Sequence, residues 1–235
     1  LSRGMLQVEQ ALGLSFSSAP VWLQQNILLK RKVLAVAGTH GKTSTTSMLL
    51  WILMNAGLKP GYLIGGVPSF VDSSADVGQD EWFIIEADEY DSAFFDKKAK
   101  FLSFTPFAAI INNLELDHLD IYNNLQEIEN VFSQWVNVLP NNGGLICPKS
   151  EALAAVAHKA SKMTRVDYLH NDDDHCMQVD KNNETTAVWR YKGKIQAEFS
   201  APWVCGHMLE NALAAAVMAH NHVGISIEKI IAGLV

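Results

Sequence analysis

The chain has little cysteine, no block of positive charge and no long apolar run. Its three cysteines, Cys147, Cys176 and Cys205, lie far apart with no CxxC spacing. They build no disulfide framework and read as reduced packing thiols of a cytoplasmic protein. Asp and Glu outnumber Lys and Arg, 25 to 18, for a net charge of −7. Without a basic cluster, a nucleic acid or an anionic membrane is disfavoured as partner, whereas a nucleotide needs only a local positive site. No apolar stretch approaches the ~20 residues of a membrane span. The opening residues do not read as a secretory signal. The sequence also lacks internal repeats and low-complexity segments.

What is present points to a buried core. With 235 residues, 49% of them hydrophobic and 18% charged, one large domain is expected. Residues 1–31 read as a connecting segment or the end of a preceding domain, with a short helix near Trp22–Leu29. The rest, 32–235, reads as an α/β domain: a mainly parallel sheet flanked by helices, with a smaller antiparallel addition.

The stretch around which the chain is organised runs from Lys32 to Ser47. A β-branched apolar run, Val33–Ala37, ends at Gly38 and is followed by Thr39, His40, Gly41, Lys42, Thr43 and Ser44. Apolar residues then recur at helical spacing: Met48, Leu49, Ile52, Leu53 and Ala56. Strand, tight glycine loop and helix in that order form a phosphate cradle, because backbone N–H groups and the helix dipole favour an anion at a helix N-terminus. Lys42 can reach β- and γ-phosphates, and the Thr43 hydroxyl can ligate Mg²⁺. The general phosphate-loop pattern places a further glycine where Val36 stands. An ordinary strand–helix turn is the bland alternative.

Two more apolar strands end in polar motifs. Glu81–Ala87 runs into Glu86, Asp88, Glu89 and Asp91; Phe107–Asn113 runs into Asn113, Glu115, Asp117 and His118. Carboxylates at a strand end near a phosphate loop suit a hard divalent cation, and a neutral imidazole can join them. In a parallel sheet, ligands gather at the carboxyl ends of strands, where all three motifs fall. Residues 65–80, rich in Gly, Ser and Asp, read as a mobile loop. Residues 124–139 and 208–222 read as helices, and 164–200 as hairpins turning at Lys192-Gly193. His207, Glu210 and Asn211 open the 208–222 helix, as polar contacts to a base or as simple caps. The acidic turn Asn171–Asp174 reads as a solvated loop. His158, His170 and His175 read as surface residues.

GTHGKTS, EADEYDSAFF, NNLELDHLDIY and GHMLENALAAA, in that order, resemble the Mur ligases of bacterial peptidoglycan biosynthesis. GYLIGGVPSF and the longer EADEYDSAFFDKKAKF are more similar to the family's murein-recycling branch. The resemblance implies an ATP-dependent amide ligase with ATP and Mg²⁺ as cofactors. It would join UDP-N-acetylmuramate to the murein tripeptide L-Ala-γ-D-Glu-meso-diaminopimelate through an acyl phosphate. Transferred by motif, Lys42, Glu86 and His118 are catalytic. Thr43, Glu86 and His118 hold the metal. Gly38, Thr39, His40, Gly41, Lys42, Thr43, Ser44, Asn113, His207 and Asn211 contact nucleotide. Met208 stands where the family usually has Asn, and no Lys lies between His118 and Pro148 to bridge a second metal. On this reading the chain is the family's central domain. The UDP-sugar and C-terminal domains then fall outside the sequence, and the chain alone is expected not to complete ligation. The alternatives are the sister ligase that adds L-alanine and a phosphate-loop regulatory ATPase without ligase activity.

Overall fold

A computed structural model describes residues 17–88, 91–93, 96–115, 122, 124–161, 163–170, 174–180, 183–203 and 206–235. After a helix α1 (Ala19–Asn26), strand β1 (Lys32–Ala37) leads into α2 (Lys42–Asn55). Strands β2 (Gly61–Leu63), β3 (Ala75–Asp76) and β4 (Trp82–Glu86) follow. A short ribbon, β5 (Asp91–Ala93) with β6 (Asp96–Ala99), stands apart from the main sheet. Next come β7 (Ala108–Ile111), α3 (Leu125–Val136), β8 (Gly144–Pro148), α4 (Glu151–Ala157) and β9 (Arg165–Leu169). Three strands, β10 (His175–Asp180), β11 (Asn183–Tyr191) and β12 (Lys194–Ser200), precede α5 (Gly206–Met218) and α6 (Ile227–Leu234).

Among the described residues the main sheet has ten strands, in the order β12-β11-β10-β9-β8-β7-β1-β4-β2-β3. From β10 to β2 every neighbouring pair is parallel; β10–β11, β11–β12 and β2–β3 are antiparallel. The expected parallel sheet with an antiparallel addition is what forms. The central strands read as continuous apolar runs because both faces are covered. Successive side chains of β1 alternate between the two covers. Leu34 and Val36 pack with α2, α5 and α6; Val33, Ala35 and Ala37 pack with α3, α4 and Phe101.

Helix α5 opens with polar residues, but from Ala212 on it is apolar on all sides, and Ala212 through Met218 are all buried. A helix of that composition belongs in a core. Its run of alanines lies against both the sheet and α2. The helix continues as a wider turn over Ala219–Val223 before Gly224 ends it with φ of 85°. The amphipathic α3 starts on Asn124, whose side chain accepts a hydrogen bond from Glu127 N at 3.0 Å. Such a cap is worth about 1 kcal/mol.

One expectation gains detail and one needs correction. Residues 65–80 include the short strand β3 and make several contacts with other segments. Gly65 N donates to Glu86, Ile64 N to Ser74 O and Val71 N to Pro68 O. Arg31 donates to the carbonyls of Asp80 and Val77, and the Phe70 ring sits 4.8 Å from that of Trp51. His175 is not a surface residue: it opens β10, in register with Tyr191 of β11, and is buried at 3% exposure. The acidic turn at 171–173 lies outside the described residues.

Candidate functional site

The order β7-β1-β4 at the centre of the sheet brings the three polar motifs to one edge. Val36 of β1 is in register with Glu86 of β4, and Ala37 of β1 with Ile111 of β7. The loop after β1 therefore sits between the tails of its two neighbours. Val36, the departure from the general pattern, is buried inside β1, so the loop proper begins at Gly38.

Two glycines shape that loop. Gly38 has φ of 127°, and a Cβ there would lie 3.0 Å from Asn113 O. Gly41 has φ of 78°, and a Cβ there would lie 2.6 Å from Asn211 Oδ1. Both positions need the left-handed backbone that glycine adopts without strain. The first α-helical bond of α2 runs from Thr45 N to Gly41 O, 2.9 Å, so the first-turn amides of Lys42, Thr43 and Ser44 face away from the helix body.

The tail of β7 braces the loop. His40 N donates to Asn113 Oδ1 at 2.8 Å, while Asn113 Nδ2 donates to His40 O at 3.3 Å. Glu115 N donates to Thr39 Oγ1 at 3.1 Å. Asn112, which the motif reading passed over, donates to both His40 O and Thr45 Oγ1, at 3.3 and 3.0 Å. Thr45 Oγ1 in turn donates to Asn211 Oδ1 at 3.1 Å, so α5 contacts the loop through Asn211. His207 does not join it: its side chain is 97% exposed and approaches Glu210 at 3.9 Å. His40 also projects outward, 3.9 Å from Glu115.

The candidate cation site centres on Glu86. Its carboxylate accepts from Thr43 Oγ1 at 2.9 Å and from Gly65 N at 2.8 Å. Thr43 and Glu86 offer oxygen donors to a hard cation, with spare lone pairs on the carboxylate. Lys42 Nζ donates to Gly38 O at 2.7 Å, folded back over the loop, and lies 3.8 Å from Asp88 Oδ1. The second Asp88 oxygen lies 3.5 Å from Lys100 Nζ. Among the described residues no trio of His, Cys, Asp or Glu forms a metal cluster. His118, expected as the third metal donor, lies outside the described residues. The glycine cradle, the outward amides, Lys42 and the Thr43–Glu86 pair fit a triphosphate with one divalent cation.

A second polar cluster went unread in the sequence. Asp167 is 5% exposed under the end of α5. It lies 3.3 Å from His222 Nε2 and 3.7 Å from His175 Nε2, and accepts from Arg165 Nε at 2.9 Å. Trp189 Nε1 donates to His175 Nδ1 at 3.3 Å, and Tyr191 stacks on the His175 ring at 4.3 Å. Burial pushes the Asp167 carboxyl up, but hydrogen bonds from His175, His222 and Arg165 outweigh it and hold the group well below the usual carboxylate range. Burial, reinforced by Asp167, pushes the nearby Cys147 thiol up to about 12, which leaves it unreactive. These groups satisfy one another within the core, away from the phosphate loop.

The sequence matches the Mur ligase middle domain over residues 36–219. It is 39% identical over 230 residues to the UDP-N-acetylmuramate--L-alanyl-gamma-D-glutamyl-meso-2,6-diaminoheptandioate ligase of Haemophilus influenzae, covering 97% of this chain and 51% of that protein. It is 36% identical over 203 residues to the UDP-N-acetylmuramate--L-alanine ligase of Chlorobium phaeobacteroides, covering 85% of this chain and 42% of that protein. Among solved structures, it is similar to the UDP-N-acetylmuramate:L-alanyl-gamma-D-glutamyl-meso-diaminopimelate ligase from Neisseria meningitides. There the TM-score is 0.90 at 37% identity, over 100% of this chain and 75% of that one. The chain spans about half the length of the curated ligases it matches in Haemophilus influenzae and Escherichia coli.

Proposed function

The chain belongs to the Mur ligase family, and from that premise we propose that it is the central ATP-binding domain of an ATP-dependent amide ligase. The reaction joins the carboxylate of UDP-N-acetylmuramate to the amine of the tripeptide L-Ala-γ-D-Glu-meso-diaminopimelate. The carboxylate oxygen attacks the γ-phosphorus, and ADP leaves. The amine then attacks the acyl carbon, loses a proton, and expels inorganic phosphate. What supports the tripeptide over L-alanine is the 39% identity across nearly the whole chain to the tripeptide ligase, with the solved neighbour of the same activity.

The observation that carries the phosphoryl-transfer reading is the contact between Thr43 and Glu86 at the mouth of the glycine loop. Phosphoryl transfer depends mainly on positioning and charge compensation; the loop would supply the first, and Lys42 with a cation held by Thr43 and Glu86 the second. The loop amides and Lys42 would hold and orient the phosphates, with Lys42 leaving Gly38 O to do so. Thr43 and Glu86 would hold Mg²⁺, with His118 as a further donor. When bound, the cation offsets charge on the transferring phosphoryl group. Asn211 and Asn113 would fix the loop and the nucleotide side of the site, and Asp88 would keep Lys42 at hand. His207, exposed at the start of α5, would approach the nucleotide from the same helix as Asn211.

The test is ADP release by the full-length protein with UDP-N-acetylmuramate and either the tripeptide or L-alanine. Stimulation by the tripeptide and not by L-alanine is expected. Stimulation by L-alanine alone moves the chain to the sister ligase. ADP release that ignores the muramyl substrate would replace a ligase with a regulatory ATPase.

A further inference from the structure

Beside the phosphate loop lies a cavity of about 460 Å³. Its walls are largely apolar, including Pro20 and Leu23 of α1, Leu63 and Ile64 at the end of β2, and Phe104. One end is polar, with Glu86, Asp88 and Lys100. Because Glu86 also bonds Thr43 of the loop, the cavity shares a wall with the place where the phosphates and cation would sit. Among the described lining residues Lys100 is the one cation.

The position of Lys100 is set by its neighbours. It opens a short helical turn, Lys100–Ser103, whose next residue, Phe101, is fully buried. The Phe101 ring packs 4.9 Å from both Phe132 and Trp135 of α3. Phe101 N donates to Asp88 O at 3.3 Å, which ties this turn to the end of β4. Asp88 stands between Lys42 and Lys100, 3.8 Å from one ammonium and 3.5 Å from the other. An ammonium has three donors, and a substrate carboxylate would share or compete for them with Asp88.

We infer that Lys100 is the residue that receives the carboxylate of the acid substrate and holds it beside the phosphate loop. The ligand class is an organic carboxylate on a short branched apolar arm, which the walls from Pro20 to Phe104 would cover. This rests on the ligase reading above and names the residue that reading leaves open. Glu86 and Asp88 would repel a bare carboxylate entering this end. A cation on the cavity side offsets that repulsion, while Lys42 is engaged by phosphate. A charge-assisted bond in a partly screened site changes affinity by on the order of 10- to 100-fold.

The test is calorimetric binding of UDP-N-acetylmuramate to the full-length protein saturated with a non-hydrolysable ATP analogue, for wild type, Lys100→Met and Lys100→Arg. Affinity for the analogue and melting temperature are measured for each. Lys100→Met is expected to weaken acid binding by on the order of 10- to 100-fold, with analogue affinity kept within about 2-fold. Lys100→Arg should recover most of the loss. Unchanged acid binding in Lys100→Met, or an equal loss of analogue affinity, would overturn the inference and leave the ligase reading standing. The equal loss would mean that Lys100 acts only by holding Asp88 and Lys42. A wild-type protein that binds the analogue but neither binds this acid nor releases ADP in response to it would overturn both.

Discussion

Glu86 on β4 and Asp167 on β9 are both strand carboxylates with close polar neighbours, and they are used in opposite ways. Glu86 is half-buried at the carboxyl edge of the parallel core and takes two hydrogen bonds, from a threonine hydroxyl and a backbone amide. Asp167 is 5% exposed and is enclosed by an arginine and two histidines. The first keeps acceptor capacity facing solvent, as a ligand site requires. The second has its capacity consumed by the fold, as a buried charge requires. A polar cluster is therefore a candidate for binding through the direction in which its unused lone pairs face, rather than through the number of its acids and histidines.

The largest effect should come from breaking the buried cluster. Asp167→Ala leaves Arg165, His175 and His222 without their shared acceptor and is expected to cost about 3–5 kcal/mol of stability in urea unfolding. Nucleotide affinity of the folded fraction should be unchanged. The same cluster sets a pH dependence. Asp167 titrates lower in the folded chain than its unfolded value of about 3.9, so its stabilisation is present above that pH and fades as acid protonates it below. Acid unfolding curves of Asp167→Asn should lose that part of the slope below about pH 4.

Lys42→Ala is the matching change at the open site. Loss of a charge poised for the transferred phosphoryl group should lower the rate of ADP formation by about 10²–10³-fold. Stability should fall by about 1–2 kcal/mol, less than for Asp167→Ala, since the described contacts are one hydrogen bond to Gly38 O and a 3.8 Å approach to Asp88. A large drop in melting temperature would instead place Lys42 in the structural class of Asp167.

Gly144→Ala probes the buried cluster from its other side. A Cβ at Gly144 would lie 1.9 Å from the His222 ring, so the histidine must move off Asp167. Overpacking of this kind costs about 1–3 kcal/mol. Thr43→Val gives the smallest change. It removes one oxygen donor and should raise the Mg²⁺ concentration needed for half-maximal ADP release by about tenfold, as loss of one bond to a charged partner would. Its thermal unfolding should stay close to wild type.

Much of the open site was legible in the sequence, because each part is local. Gly38 to Ser44 lie within one turn and its helix, and Glu86 and Asn113 follow apolar strands whose polar tails mark their carboxyl ends. Parallel pairing of β1 with β4 and β7 did the rest. Asn112 was passed over because an asparagine in a strand tail carries no signal until the loop folds across it. Lys100 lay inside the recognised EADEYDSAFFDKKAKF stretch, yet its neighbour across space is a cavity wall made partly by α1. His175, Asp167 and His222 were illegible for a stronger reason. His222 lies 55 residues from Asp167, and only the pairing of β9 with β10 and the turn after α5 bring the three together. At 65–80 composition reports turn propensity and carries no sign of β3 or of the partners on other segments that meet Gly65 and Asp80.

The most direct test of the open site is Mg²⁺-dependent binding of a non-hydrolysable ATP analogue, by calorimetry, to wild type and Glu86→Gln. Wild type should bind more tightly as Mg²⁺ is added. Glu86→Gln should keep the Mg²⁺-free affinity and lose most of the Mg²⁺-dependent gain. An undiminished gain in Glu86→Gln would contradict the placement of the cation between Thr43 and Glu86.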